Sequence, residues 1–145
     1  MGETKSPLLI ERDEHDAVRN AKKVTLDAGA EITATAQYAT TQTGVALLTP
    51  SSDKKLVIVY IQIQVGGTTA GTLQVWFGAV GDTTYSRGTD RAIFDGEFAP
   101  SSTLKPGFTS TKESGWKAIN ADDVLKVTTS AAINPLTITV WGYEI

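Results

Sequence analysis

Chemistry in a chain of this size needs a nucleophile, a rigidly held acid–base pair or a set of metal ligands, and the sequence offers little of each. There is no cysteine and a single histidine, His15. The lack of cysteine removes disulfides, thiol nucleophiles and thiolate metal sites together, and fits a reducing compartment or a fold that needs no covalent staple. His15 stands among Asp13, Glu14 and Asp16. A Ser-His-Asp arrangement needs its imidazole fixed by a scaffold, and a charged leader supplies none, so His15 reads as a solvated side chain. One imidazole beside carboxylates is also too unspecific to define a metal site. Glu11, Asp13, Glu14 and Asp16 alternate with Arg12 and precede Arg19, Lys22 and Lys23, the pattern of a self-compensating solvated face.

Further along, Asp82, Asp90 and Asp95 are candidates to meet around a Ca²⁺, which wants several oxygen ligands, but the compact D-x-D-x-D-G spacing is missing. Asp122-Asp123 precedes a β-rich run, where adjacent acids commonly shape a turn. No spacing recommends a pair of acids for glycoside cleavage. Neither G-x-x-x-x-G-K nor G-x-G-x-x-G after a strand occurs, and Gly66, Gly67 and Gly71 read as hairpin glycines. The expectation is a protein without catalytic residues, metal or cofactor.

Binding is left to the aromatics and to the leader. Trp76 and Phe77 are adjacent in a strand pattern, so they point to opposite faces, one to a core and the other outward or to an interface. Trp116, after Gly115, reads as a loop residue that plugs the end of a sandwich or offers a sugar platform. Trp141 and Tyr143 share one face of the last strand. They either fill the core or form a subunit contact, where aromatics are enriched. Ile145, an apolar last residue, favours a covered C-terminus.

The elements that must position these side chains are strands. At 145 residues, 41% hydrophobic and 20% charged, the chain matches one domain with a substantial core. A net charge of −3 gives no electrostatic reason for a nucleic-acid partner. Residues 1–27 carry eleven of the 29 formal charges (13 Lys and Arg plus 16 Asp and Glu), too polar a stretch to offset its own ordering entropy. Residues 1–23 are therefore expected to be an arm and 24–145 a β domain. Within the arm, Pro7, Leu8, Leu9 and Ile10 offer an apolar anchor. The short apolar run there is expected to be neither a signal peptide nor a membrane anchor. Leu56–Val65 is half the length of a spanning helix, so no membrane partner is expected and assembly in a cytoplasm is.

In Leu56–Val65 (LVIVYIQIQV) strict alternation puts Val57, Val59, Ile61, Ile63 and Val65 on one face, and Leu56, Ile58, Tyr60, Gln62 and Gln64 on the other. A glycine-rich turn then leads to Thr72–Gly78, and the two runs read as a hairpin. Arg91–Phe98, Leu104–Ser110, Asp123–Thr129 and Leu136–Tyr143 continue the pattern, with Lys23–Leu26, Glu31–Tyr38 and Gly44–Leu48 upstream. About eight short strands joined by Gly, Pro, Ser and Thr turns predict an all-β antiparallel β-sandwich, jelly-roll-like by first choice and Greek-key or galectin-like by second.

KKLVIVYIQIQV (54–65), GTLQVWFG (71–78), Gly115-Trp116, ADDVLKVTTSAA (121–132) and TITVWGYE (137–144) form an ordered set. As such it resembles small β-sandwich virion proteins of tailed bacteriophages, over about residues 50–145. The resemblance implies a structural, often trimeric protein displayed on a capsid or at a fibre tip, and transfers no individual binding residue. It leads to the expectation of a capsid decoration (cement) protein, a homotrimer in the virion whose partners are the major capsid protein or other virion proteins. The arm would attach it, with Pro7, Leu8, Leu9 and Ile10 as anchors and Arg12, Arg19, Lys22 and Lys23 meeting acidic shell groups. Trp141 and Tyr143 are the candidate subunit interface. The rival expectation is a receptor-binding fibre-tip or glycan-binding module using the loops Gly81–Thr89 or Ser110–Trp116. A free lectin-like domain comes third and an enzyme last.

Overall fold

The computed structural model describes residues 29–98, 103–104 and 115–145. Among them every regular element is a strand: β1 (Ala30–Tyr38), β2 (Val45–Leu48), β3 (Leu56–Val65), β4 (Gly71–Gly78), β5 (Arg91–Phe98), β6 (Thr103–Leu104), β7 (Trp116–Lys117), β8 (Val124–Thr129) and β9 (Leu136–Glu144). One sheet has the order β1-β9-β3-β6, with β7 also paired to β3, and the other has β2-β8-β4-β5. Strands early in the chain thus lie beside strands late in it: β1 by β9, β2 by β8, β3 by β6 and β4 by β5. That nested arrangement, split over two sheets, is a jelly roll. The expected antiparallel sandwich is present.

The expected hairpin is not. β3 lies in the first sheet and β4 in the second. Both edges of β3 are already occupied, one by β9 along its whole length and the other by β6 and β7, so no edge remains for β4. The glycine-rich connection instead crosses from sheet to sheet at one end of the sandwich. There Gly66 N–H donates to Pro135 O at 2.7 Å, Ser130 N–H to Thr72 O at 3.1 Å, and Thr72 N–H to Ser130 Oγ at 2.9 Å. Gly67 has φ 75°, and a Cβ there would run into Asn134 O, so this crossing needs glycine.

Strict alternation along β3 also fails, at one residue. The β3–β9 register shifts between Ile58 and Tyr60, a bulge that admits an extra residue and reverses the phase of the side chains. Leu56 and Ile58 therefore join Ile61, Ile63 and Val65 in the core, while Val57 pairs outward with Tyr143 and Tyr60 with Trp141. Val57 and Val59 are nonetheless fully buried. The backbone at Gly115 sits against both, where a Cβ would lie 2.8 Å from Val57 Cγ1 and 3.0 Å from Val59 Cγ1.

Between the sheets, β3 and β9 (Leu136, Ile138, Val140) pack against β4 (Leu73, Val75, Phe77) and β8 (Leu125, Val127), with Ile133 closing one end. Trp116 packs against this cluster from β7; the residue expected in a loop lies in a short strand paired with Ile58, and the plugging role fits its position better than a sugar platform. The acidic pair forms the expected turn. Asp122 Oδ1 accepts Asp53 N–H at 2.7 Å, and Asp123 Oδ2 accepts Asn120 N–H at 2.8 Å. The expected Lys23–Leu26 strand, and the expected Leu104–Ser110 strand beyond Leu104, lie outside the described residues.

Because Ile61 is fully buried at the centre of the first sheet, Ile61→Ala removes transfer energy and leaves a cavity, and should cost about 2–5 kcal/mol. Thr139→Ala, on the outer face of β9, should cost about 0.5 kcal/mol or less. Denaturant unfolding of the two variants checks the difference.

Candidate interaction faces

Each sheet turns its second face away from the core, and the two outer faces are built differently. On the first sheet the outward positions are Glu31, Thr33, Thr35 and Gln37 from β1, Thr137, Thr139, Trp141 and Tyr143 from β9, Tyr60, Gln62 and Gln64 from β3, and Lys117 from β7, in register with the outward-facing Val57. Glu31 and Lys117 are the two charged residues among them, one of each sign. Polar contacts organise the surface: Trp141 Nε1–H donates to Glu31 Oε1 at 2.7 Å, Thr35 Oγ1 to Thr139 Oγ1 at 3.3 Å, and Tyr60 OH to Gln62 Oε1 at 3.0 Å. The rings of Trp141 and Tyr143 are 5.9 Å apart and tilted by 50°, a geometry favoured by their quadrupoles. Of the two expectations for this pair, core filling is excluded: Leu136, Ile138 and Val140 fill the core from β9, and Trp141 and Tyr143 are half-buried on the outside. The next residue on that face, Ile145, is tied at its backbone by reciprocal hydrogen bonds with Lys55 at 2.9 Å, yet its side chain stays 40% exposed. The C-terminus is fastened without being covered.

The part of the second sheet's outer face around Trp76 and Lys126 is covered by the twelve-residue connection between β4 and β5, Ala79–Asp90. Phe77 faces the core and Trp76 faces out, as the adjacency of the two required, but Trp76 is fully buried. Tyr85 lies over it with ring centroids 5.8 Å apart, and Trp76 Nε1–H donates to Thr128 Oγ1 at 3.2 Å. Gly78, two residues along the same face, leaves room for the ring, since a Cβ there would collide with it. On the neighbouring strand, in register with Trp76, stands Lys126. Its ammonium donates to Val80 O at 3.1 Å and to Asp82 O, and it lies 5.7 Å from the Trp76 ring centre. Lys126 carried no signal on its own. What distinguishes it is a lone cation inside the otherwise apolar and β-branched run VLKVTT, and that becomes informative only once its cross-strand partner is known.

Asp82 and Asp90 of this loop and Asp95 of β5 do not converge on a metal site. Asp90 Oδ2 accepts Ser86 N–H at 2.7 Å, whereas Asp95 pairs with Arg87 Nε at 2.7 Å and accepts from Gln74 Nε2 at 3.3 Å. Among the described residues no group of three His, Cys, Asp or Glu side chains could hold a metal ion. An open depression near the start of β4 has Ala70, Gly71, Thr72, Glu97 and Ser130 in its lining, and among these described residues no base stands beside the carboxylate. The arm residues Pro7, Leu8, Leu9, Ile10, Arg12, Arg19, Lys22 and Lys23, and His15, lie outside the described residues, as does the Ser110–Trp116 loop before Gly115. No known family model matches the chain, and no curated protein is significantly similar to it.

The Arg87 hydrogen bond, more than the donation from Gln74, holds the Asp95 carboxyl below the usual aspartate range, against a smaller opposing effect of burial. A carboxylate with a depressed folded pKa contributes stability above its unfolded pKa and loses it as pH falls through the folded value. With Arg87 79% exposed, solvent screening keeps that contribution small. The Asp95 carboxyl should titrate below an ordinary aspartate, and Arg87→Ala should move its midpoint upward, as read by carbon-detected NMR titration.

Proposed function

We infer that this chain is a non-catalytic structural virion protein, a capsid decoration protein that self-associates and binds the head shell through residues 1–23. The observation that carries the self-association is the placement of Trp141 and Tyr143. The core is complete without them, and they stand with Tyr60 on an outer face whose other side chains are nearly all Thr and Gln. Such a face suits contact between copies of one chain. Thr and Gln both donate and accept hydrogen bonds, and a nearly uncharged surface escapes the repulsion that like-charged copies, each with net charge −3, would otherwise feel.

The attachment follows from the sequence of the leader. An arm adds contact area to a small domain: its Pro7-Leu8-Leu9-Ile10 tetrad would contribute about 25 cal/mol per Å² of apolar surface buried on the shell. Three arms on one trimer would multiply that grip through effective concentration. Arg12, Arg19, Lys22 and Lys23 would meet acidic shell groups. The phage setting itself rests on the resemblance of residues 50–145 to small virion β-sandwich proteins. The rival receptor-binding reading draws on the Gly81–Thr89 loop, whose Tyr85 packs on Trp76; binding of the purified protein to a glycan array, with no attachment to capsids, would favour it.

Removing residues 1–23 should leave a folded domain that no longer attaches to the heads of its own virus; saturation of capsids by the truncated protein sinks the arm. Replacing Trp141 and Tyr143 together by Ser should weaken self-association by about 30-fold or more, as expected for central aromatic anchors. Native mass spectrometry should then show monomers at concentrations where the parent is a trimer.

A further inference from the structure

The outer face of the second sheet holds an arrangement that the virion reading does not use. A lysine on the outward side of a strand normally extends its stem along the surface and keeps its ammonium in water. Lys126 is only 2% exposed. Its described acceptors are main-chain carbonyls, Val80 O and Asp82 O, with the face of Trp76 at 5.7 Å; among the described residues no carboxylate comes within ion-pair distance of it. A buried ammonium is costly unless its hydrogen bonds are met, and among the described residues only the Ala79–Asp90 loop meets them. The same loop buries Trp76 under Tyr85 and fits closely over β2, where a Cβ on Gly44 would lie 2.6 Å from Thr83 Cα.

We propose that Lys126 is the latch of a strap: its ammonium holds the Ala79–Asp90 loop closed over Trp76, and loop and indole open to solvent together as one unit. Two opposed effects make the unit bistable. Closing buries the Trp76 ring and satisfies Lys126 through the two carbonyls. Opening rehydrates the ammonium, which offsets part of the loss and places the open state well below global unfolding in cost. The Arg87–Asp95 pair lies at the rim, with Arg87 in solvent, and is not the latch.

Hydrogen exchange by NMR on the full chain tests this. In the parent protein the amides of Asp82 and Asp90, bonded to Ala79 O and Ser86 O, and the Trp76 indole N–H should exchange through one common opening. That opening should be faster than exchange of the Val75 and Val127 amides. If the indole exchanges only with those core amides while the loop exchanges independently, there is no strap. Lys126→Met keeps the stem and removes the charge, leaving two buried carbonyls without their donor. It should speed exchange of the loop amides and the indole by about ten- to a hundredfold, the usual worth of hydrogen bonds to a charged group, with the core amides unchanged. Unaltered or increased protection overturns the latch. Arg87→Ala should change indole exchange by about twofold or less, within the range of exposed ion pairs; an effect as large as that of Lys126→Met would relocate the latch to the rim and also overturn the proposal. Should Lys126→Met fail to fold, the parent exchange pattern alone decides.

Discussion

The ladder between β3 and β9 is the constraint from which the remaining geometry follows. Leu56–Val65 runs against Leu136–Glu144 over the full length of both strands, joining parts of the chain separated by most of the domain. Because β9 occupies one edge of β3, and β6 with β7 the other, β4 is forced into the opposite sheet, and the chain must cross the end of the sandwich at Gly66 and Gly67. The bulge within the same ladder decides which half of β3 sends which residues inward. Without it Leu56 and Ile58 would turn to the outer side of the sheet, and Val57 and Val59 would take their places in the core beside Ile61 and Ile63. Close approach at Gly142, where a Cβ would strike Val57 O, belongs to this region too, and shows how tightly the irregular register is packed.

A sandwich built this way has two outer faces to dispose of, and this chain treats them oppositely. On the second sheet a loop folds back and buries a tryptophan, a tyrosine contact and a lysine, so the part of that face around Trp76 is closed by the chain's own backbone. On the first sheet the described outward residues are held by short side-chain hydrogen bonds, from Trp141 to Glu31 and from Tyr60 to Gln62, in a surface of Thr, Gln and aromatic rings. The self-association we propose uses the first face for a physical reason. Aromatic anchors already fixed by neighbours lose little side-chain entropy on binding, and a face with few charged groups has little to desolvate at high cost.

The strand inventory was legible from residue types. Alternation and β-branching located β3, β4, β5, β8 and β9 to within a residue or two, because half-burial imposes a two-residue period on any strand of a sandwich. The opposite orientation of Trp76 and Phe77 was equally legible, since adjacent strand residues cannot share a face. Pairing was not. Gly-rich spacing between β3 and β4 has the local look of a hairpin, and only competition for the edges of β3, which involves β6, β7 and β9, rules it out. Nor does local pattern mark a bulge: LVIVYIQIQV is apolar on both sides through Ile61, so its phase is set by the partner strand. The two faces of candidate function divide in the same way. Trp141 and Tyr143 were identifiable as a pair, whereas Lys126 was not, because its role exists only in relation to a ring on the next strand and two carbonyls more than forty residues away.

Sequence by itself determined the class of this protein: short strands with two-residue periodicity, turn residues between them, and a composition with no thiol and a single histidine. Those features are local, and local sterics and burial suffice to produce them. Tertiary structure alone decided the jelly-roll order, the reversal of phase at Val59, the outward placement of Trp141 and Tyr143, and the closure of a loop over Trp76. Each of these is a competition between distant segments for the same edge, face or hydrogen-bond partner, and no segment holds the outcome within itself.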